Sequence, residues 1–307
     1  MDGERGGDRP THRGLIYSPP MSLEVVIEPV RDFRGYRACE RLQREVWGFQ
    51  DISIIPDHAL HMIVQAGGLL LGAFDGIGPA REMLGFSLSV LGLWEGRRLR
   101  HFSLMTAVKP GQQNQGIGEK LKLAQREYVL RQGIDLITWT FDPLESRNAH
   151  FNLNKLGGIV RSYHQNFFGE EMRDALNQGL PSDRFLCEWY LASPRVRARL
   201  GGGKSPELRL SEVEVINRTK RLPSGQRAPA GGRLNLSAKF LFFEIPSNLQ
   251  ALKRESLVVA QAWRQECRKF LAPYLEEGYL VTGLVREGER SFLVLERASL
   301  EEVVERP

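Results

Sequence analysis

The sequence contains few cysteines and no long apolar run. Cys39, Cys187 and Cys267 are its only cysteines in 307 residues, and they lie far apart without the spacing of a metal site. A disulfide framework is therefore not expected, and a reducing, cytoplasmic setting without a bound metal is the prediction. No stretch of about eighteen apolar residues occurs, so the sequence predicts no transmembrane helix and no membrane partner.

The charge balance excludes little but is compatible with an anionic ligand. The formal net charge is +5, which is small for this length, while 42% of residues are hydrophobic and 26% are charged. These fractions are ordinary for a globular protein. The charge alone does not indicate a nucleic-acid partner, and the basic segment at 200–236 has no interleaved aromatic residues that could stack on bases. No nucleic-acid partner is predicted.

The most informative stretch covers residues 104–133. It begins as a strand, breaks at Pro110-Gly111, continues as a polar loop and becomes a helix. The helix is predicted by apolar residues at steps of four, three and four, namely Ile117, Leu121, Ala124 and Tyr128. Gly133 follows the last turn, where a left-handed residue commonly ends a helix.

The loop before this helix has the pattern Q-x-x-G-x-G, formed by Gln113, Gly116 and Gly118. Glycines let a ligand approach the backbone closely, and the first amides of a helix lack internal partners at its partly positive end. The pattern therefore predicts a phosphate site, although simple turn chemistry could also explain it. The third glycine of a dinucleotide fingerprint and the Gly-Lys-Ser/Thr of a P-loop are both missing.

This motif resembles the acyl-CoA signature of the GNAT acyltransferase superfamily. The resemblance implies acetyl-CoA or another acyl-CoA as co-substrate, with the pyrophosphate on the backbone amides of residues 114–118 and the pantetheine arm along the preceding strand. The cofactor-binding residues implied are Ala107, Val108, Gln113, Asn114, Gln115, Gly116, Ile117, Gly118, Asn148 and Phe151. Asn114 stands where the family often has glycine, and asparagine tolerates a left-handed backbone better than most residues.

A second segment is similar to the following GNAT helix, because it ends in Lys155-Leu156-Gly157. The family commonly has a tyrosine two residues before that lysine, as acid to the leaving thiolate, but this chain has Leu153. Tyr163, His150 or a water could replace it, or the thiolate could leave unaided.

The resemblance also implies direct acyl transfer, in which a backbone amide near Met105 stabilises the oxyanion. A base must accept the proton of the amine, and the candidates in the sequence are Glu45, His61, His101 and Asp142. A branch of the superfamily similar to amino-acid N-succinyltransferases would use arginines to bind a carboxylate. The arginines available near the predicted cleft are Arg147, Arg161, Arg173 and Arg184, and solvated surface roles are the alternative.

The predicted fold is α/β (α+β), with a GNAT-like mixed, mostly antiparallel sheet flanked by helices and a smaller C-terminal α+β unit. The pattern strand, helix, three strands, helix, strand runs to about residue 141, and residues 48–61 read as irregular, with Pro56 as a breaker. The predicted organisation is a disordered leader at 1–20, with Met21 as a candidate start, an acyltransferase domain at 21–195, a linker at 196–236 and an extension at 237–307. The extension is marginal in size for an independent core and is therefore expected to pack on the domain.

The predicted activity is transfer of an acetyl or succinyl group from acyl-CoA to the primary amine of a small molecule or amino acid. A non-catalytic CoA-binding sensor or scaffold remains the alternative. A binder of another phosphate ligand, such as a nucleotide, is disfavoured because the usual lysine and acidic metal ligands are missing. A homodimer is left open.

Overall fold

The computed structural model describes residues 24–78, 81–169, 178–203 and 207–307. The predicted leader at 1–20, Met21 and Arg173 therefore lie outside the described residues. Among those described, eleven strands form one mixed sheet and two more form a separate hairpin. Most neighbouring strands are antiparallel and helices cover the sheet, so the predicted fold class is confirmed.

The described residues form thirteen strands and nine α-helices, together with short 3₁₀- and π-helical segments. The strands are β1 (Val25–Pro29), β2 (Leu69–Asp75), β3 (Met83–Trp94), β4 (Arg98–Val108), β5 (Leu136–Phe141), β6 (Ile159–His164), β7 (Arg184–Tyr190), β8 (Glu214–Val215), β9 (Asn217–Arg221), β10 (Arg227–Gly232), β11 (Phe240–Ile245), β12 (Tyr279–Glu287) and β13 (Arg290–Arg297). The α-helices are α1 (Phe33–Trp47), α2 (Asp57–Gln65), α3 (Ile117–Arg131), α4 (Ser146–Ala149), α5 (Pro194–Leu200), α6 (Leu249–Glu255), α7 (Leu257–Glu266), α8 (Ala272–Glu276) and α9 (Leu300–Glu305). The large sheet has the order β1-β2-β3-β4-β5-β7-β6-β12-β13-β11-β8.

Asp32 caps the start of helix α1 by accepting a hydrogen bond from Gly35 N at 2.7 Å. The expectation of irregular structure at 48–61 is wrong from residue 57 onward, where α2 begins. Pro56 is the residue before this helix and does not interrupt it. Proline has no backbone N–H group. At the start of a helix this loses no hydrogen bond, because the N–H groups there have no carbonyl acceptor within the helix.

The two faces of the first five strands are covered by different helices. Helices α1 and α2 cover one face, where Cys39, Leu42 and Leu60 pack against Phe86 and Leu88. We call this the α1/α2 face. Helix α3 covers the opposite face, where Ile117, Leu121 and Val129 join the larger core cluster. Strands β3 and β4 contribute side chains to the cores on both faces, since successive side chains of a strand point to opposite sides.

Strands β4 and β5 separate soon after they meet. Their parallel pairing joins His101 to Ile137 and Phe102 to Thr138, and no other pair is formed among the described residues. Beyond Phe102, the edge of β4 that faces β5 has no strand partner. A gap therefore opens in the middle of the sheet, on the side where β4 leads into the glycine-containing loop.

The C-terminal unit continues the same sheet through β12, which pairs with β6 at Val281 and Val160. Asn154 strengthens the junction, because its side chain exchanges two hydrogen bonds of 2.9 and 2.8 Å with the backbone of Leu284. The predicted packing of this unit on the preceding domain is thus seen. The proposed domain boundaries stay predictions.

The solvated tether predicted within 196–236 is wrong for residues 217–232, which form the β9–β10 hairpin. Trp263 Nε1 donates to Arg227 O at 3.0 Å, and Arg227 pairs with buried Glu244 at 2.9 Å. Glycine and proline made this segment look like a linker, but its few apolar side chains are used in tertiary packing. No helix of the described residues is long and apolar enough to span a bilayer.

Candidate acyl-CoA site

The loop between β4 and α3 contains three residues in the left-handed region. Their φ angles are 84° at Gly111, 66° at Asn114 and 79° at Gly116. Asn114 therefore does take the left-handed backbone that the sequence suggested it could tolerate. These angles turn the chain sharply enough for the loop to curl in front of the first turn of α3.

The first amides of α3 point out of this loop without protein partners. The first bond within the helix runs from Lys120 N to Gly116 O at 3.0 Å. Among the described residues, no acceptor is found for the backbone N–H groups of residues 116–119. Gly116 and Gly118 leave the approach open, since a Cβ atom would meet nothing within 4 Å at the first and only Val108 Cγ2, at 3.8 Å, at the second. The arrangement suits a phosphate group.

Helix α4 and the π-helix that continues it (His150–Lys155) form the wall of the gap opposite this loop. Arg147 donates to the side chain of Asn114, and Lys155 pairs with Glu119 at 3.0 Å. Asn148 is exposed on this wall, whereas Phe151 is half-buried against the main core. The two segments that the sequence associated with acyl-CoA are thus brought together across the β4–β5 gap.

Strand β4 has a bulge where it begins to separate from β5. Met105 lies opposite Leu88, but Ser103 lies opposite Ser89, so Leu104 is an extra residue between two aligned pairs. Met105 and Ala107 pack on the α1/α2 face, and Val108 packs against the core on the α3 face. The backbone of residues 103–108, rather than these side chains, is what the gap exposes to a ligand.

The residues predicted to handle protons are not assembled in the gap. His101 is fully buried, with Nδ1 at 2.9 Å from Ser89 Oγ, and burial lowers its pKa. Tyr163 already donates to Asp183 Oδ2 at 2.5 Å, and burial raises its pKa. Neither side chain is free to exchange a proton with a substrate, because a base or acid must reach the reacting group.

The remaining candidates fare differently. Asp142 is buried and accepts hydrogen bonds from Arg264 and from Leu144 N. The His61 ring packs at a tilt against the rings of Phe33 and Tyr36, with centroid distances of 5.4 and 5.9 Å. Glu45 is exposed on α1 and close enough to Lys109 to raise the pKa of that lysine, after the larger effect of Glu82. Glu45 is therefore the one sequence candidate that stays accessible near the loop.

The position of the usual tyrosine offers no replacement acid. Leu153 is fully buried in the core, so its side chain fills space instead of facing a ligand. His150, on the same wall, has its pKa lowered by burial first and then by Arg286 and Lys155. It is consequently neutral near pH 7.

Three of the four arginines suggested by the sequence lie in the described residues, and each has a different neighbour. Arg147 contacts the loop, Arg161 pairs with Glu188 and Glu95, and Arg184 lies 3.8 Å from Asp142. Sequence reasoning did not select Arg100, which lies where β4 and β5 meet. Its Nη1 donates to Thr138 Oγ1 at 2.6 Å, its guanidinium stacks on Trp94 and Phe102, and its buried Nε has no partner among the described residues. In the β3–β4 hairpin Arg100 lies opposite Gly92, and Trp94 lies two residues further along β3, opposite Arg98.

A buried lysine lies beneath the bulge of β4. Lys122 Nζ donates to Ser103 Oγ at 2.8 Å and to Gln125 Oε1 at 3.1 Å, and it lies 4.1 Å from the centre of the Trp139 ring. Burial lowers the pKa of Lys122 to about 7. Among the described residues, no carboxylate pairs with it.

This lysine predicts a pH-dependent stability. Between about pH 7 and pH 10 the unfolded chain binds a proton that folded Lys122 lacks, so the free energy of unfolding rises with pH. Relative to Lys122→Met, the wild type is expected to gain about 1 kcal/mol per pH unit in this interval. Below about pH 7 the difference levels off, because both states then hold the proton.

Urea denaturation of both proteins at several pH values measures this difference. Lys120→Met is the matched control, because Lys120 is exposed on the same helix and should leave the pH dependence unchanged. If the free energies of unfolding of the wild type and Lys122→Met changed with pH in the same way, Lys122 would have its ordinary pKa.

Comparisons with known proteins give no match by sequence and several by structure. No family model matches the sequence, and no curated protein matches it. Among the described residues, no group of three or more metal-binding side chains occurs.

Of three similar solved structures, two are acetyltransferases, one of them putative, and the third is a complex that contains CoA and a peptide. The NatC complex bound to Gag peptide and CoA gives 20% identity, covering 54% of this chain and 98% of that one, with a TM-score of 0.41. A putative acetyltransferase of the GNAT family from Desulfovibrio desulfuricans is 15% identical, with 55% of this chain and 99% of that one covered and a TM-score of 0.42. The ribosomal-protein-S18-alanine N-acetyltransferase from Escherichia coli is 12% identical, with 54% of this chain and 94% of that one covered and a TM-score of 0.42. Each of the three likenesses extends over about half of this chain, at 20% identity or less.

Proposed function

We propose that this protein is an acyl-CoA-dependent N-acyltransferase of the GNAT type. The observation that carries the proposal is the set of partnerless amides at residues 116–119, placed at the open end of the β4–β5 gap. A helix start of this kind binds phosphate, and the gap beside it offers an unpaired strand edge to an extended ligand arm. Few ligands combine a pyrophosphate with a long chain that can add to a strand, and CoA is one of them.

In the proposed complex, residues 114–118 hold the pyrophosphate of acyl-CoA. Arg147 adds positive charge from the opposite wall, which favours an anionic ligand, whereas the charge of Lys155 is paired with Glu119. The pantetheine arm runs along the free edge of residues 103–108, where its amides replace the missing strand partner. The thioester then lies near the bulge at Leu104.

The transfer step needs no covalent enzyme intermediate. The amine attacks the thioester carbonyl, the C–N bond forms, the C–S bond breaks and CoA leaves as its thiolate. A backbone amide of β4 near Met105 would stabilise the oxyanion, because a bulge redirects backbone groups at the edge of a strand. Burial raises the pKa of all three cysteine thiols, which does not suit a nucleophile.

Protons are proposed to move through water in the open gap. The leaving thiol has an ordinary thiol pKa of about 8.5, so its thiolate is stable enough to leave without an enzymic acid. This accounts for a buried Leu153 where the family commonly has tyrosine. Exposed Glu45 is the remaining candidate to accept the proton of the amine.

The acceptor is proposed to be a small amine that carries a carboxylate, such as an amino acid. Arg100 supports this choice, because its guanidinium stands at the closed end of the gap with an unpartnered Nε. Nearby Glu188 is already bonded to Arg161 and to the Tyr190 hydroxyl, at 2.8 and 2.6 Å, and is not paired with Arg100 in the described residues. A carboxylate of the acceptor would supply the missing charge.

Calorimetric titration with acetyl-CoA, succinyl-CoA and free CoA tests the cofactor, and CoA release in the presence of amines tests the reaction. We expect micromolar binding and faster release with L-amino acids than with the matching amino-acid amides. Equal rates with acids and amides would contradict the carboxylate acceptor only. No binding to any CoA species would contradict the proposed function itself.

A non-catalytic CoA-binding protein is the second candidate, and the buried Leu153 with the engaged Tyr163 favours it. Binding of acetyl-CoA without release of CoA above the rate of spontaneous hydrolysis, across the same amines, would select this alternative.

A further inference from the structure

A small cavity lies where α5 and α9 meet strands β11, β12 and β13, among residues outside the acyl-CoA loop. Its volume is about 30 Å³, and three arginines line it: Arg195, Arg199 and Arg306. We call it the arginine cavity. A water needs about 10–15 Å³, so the enclosed space takes about two oxygen-sized atoms, enough for the two oxygens of a carboxylate head group, and a hydrocarbon chain attached to it would lie at the opening.

The positive charge in the arginine cavity exceeds the negative charge. Arg306 forms two hydrogen bonds, of 2.8 and 2.7 Å, with Glu296 and neutralises it. Arg195 is 3% exposed and Arg199 is 6% exposed, yet neither pairs with a carboxylate among the described residues. Residues 204–206, which lie outside the described ranges, are Lys, Ser and Pro and contain no acid.

The protein groups that contact these two arginines are neutral. Arg195 Nε donates to Gly157 O at 3.0 Å, and its guanidinium also donates to Thr282 O. Arg199 Nη1 donates to Gly203 O at 3.3 Å, while its buried Nε has no partner in the described chain. Carbonyl oxygens satisfy donors but do not cancel charge, and two uncompensated buried cations are costly.

The electrostatics of Arg195 reflect this surplus. Burial first, and then Arg199 and Arg306, lower the pKa of Arg195 to about 10. Arg199 shows the same direction, with burial followed by Arg306 as the causes. An anion placed between Arg195 and Arg199 would offset the repulsion between their positive charges and raise the pKa of both.

The rest of the wall is apolar. Leu208, Phe240, Val285 and Val294 line the cavity, and Phe240 and Val285 are partly exposed at its mouth. An inorganic ion would leave these side chains without a contact, whereas a short hydrocarbon chain would cover them.

We propose that the arginine cavity binds a small organic carboxylate, with its head group on Arg195 and Arg199 and its short chain against Phe240 and Val294. The two arginines offer the forked donors that match a carboxylate, and the apolar mouth favours an aliphatic tail. The site is separate from the acyl-CoA loop and does not depend on the proposed enzymic function.

Titration of the full chain with sodium acetate, propanoate and butanoate at constant ionic strength tests the site, read by calorimetry and by thermal unfolding. We expect saturable binding whose affinity rises up to about fourfold per added CH₂ group. Arg199→Gln should lose at least about tenfold in affinity, since it removes a charged hydrogen-bond donor.

Arg197→Gln is the matched control, because Arg197 is exposed on the same helix and should bind the carboxylates as the wild type does. The ligand-free melting temperature of Arg199→Gln should be equal to or above that of the wild type, since a buried like charge has been removed. A purely structural Arg199 would instead lower it.

Phe240→Ala gives a second readout, because it should remove the dependence of affinity on chain length while keeping acetate binding. The proposal is overturned if phosphate or chloride binds as tightly as butanoate, if no carboxylate binds, or if Arg199→Gln responds to carboxylates like the wild type.

Discussion

Replacing Gly118 with tryptophan is expected to lower the affinity for acetyl-CoA by about 100-fold or more while the protein stays folded. The indole would fill the space between the first turn of α3 and the end of β4, and would keep the pyrophosphate from the amides of residues 116–119. The loss of two hydrogen bonds to a charged group, each about 1.5–3 kcal/mol, accounts for this factor.

Gly118 suits this test better than Gly116. Gly116 has a φ of 79°, so any side chain there strains the backbone as well as blocking the site. Gly118 lies in the first turn of the helix at an ordinary φ, and an added Cβ meets only Val108 Cγ2 at 3.8 Å. Gly118→Ala should therefore bind acetyl-CoA and should gain up to about 1 kcal/mol of helix stability.

Gly92→Trp is the control for a large side chain at an open glycine. Gly92 lies in β3 at an ordinary φ, with nothing within 4 Å of an added Cβ, and away from the loop. Calorimetry should show wild-type affinity for Gly92→Trp. Wild-type affinity for a folded Gly118→Trp would mean that the phosphate site is elsewhere.

Replacing Asp142 with asparagine is expected to lower the free energy of unfolding by about 3–5 kcal/mol. Asp142 ends β5 and is 7% exposed, and its Oδ2 lies 2.5 Å from Nη2 of Arg264 on α7, which is fully buried. Removing the carboxylate charge leaves the Arg264 charge uncompensated. Arg184, whose Nη1 lies 3.8 Å from the same oxygen, would also lose an attraction.

Urea denaturation measures this effect, with Asp51→Asn as the matched control. Asp51 pairs with Arg44 at 2.9 Å, but its side chain is 90% exposed, so the loss should be below about 1 kcal/mol. Adding Arg264→Met to Asp142→Asn should recover part of the lost stability, because the stranded charge is then gone. Equal costs at Asp142 and Asp51 would show that the buried pair contributes no more to stability than the exposed one.

The backbone of the loop between β4 and α3 could be predicted from the sequence because its determinants are local. The turn needs glycine or asparagine at left-handed positions, and Gly111, Asn114 and Gly116 occupy them. The α3 helix follows from the spacing of Ile117 and Leu121. Both features depend on residues within one short segment, where backbone conformation and periodicity are decided.

The proton-handling residues were harder to identify because burial is not local. His101 and Asp142 have the right functional groups, but the sequence does not reveal that Ser89 and Arg264 reach them from distant segments. The β9–β10 hairpin was missed for a related reason. Its glycines and prolines indicate a loop, and only contacts with Trp263 and Glu244 make it ordered.

The sequence by itself determined the order of strands and helices from β2 to β5, the bend at Pro110-Gly111 and the left-handed turn before α3, because backbone sterics act between neighbouring residues. The tertiary structure alone decided that β4 leaves β5 after Phe102, that Arg147 meets Asn114 across the gap, and that Arg195, Arg199 and Arg306 share one cavity. Those features depend on the desolvation and pairing of charges from remote segments, and the energy of such contacts exists only once the chain has folded.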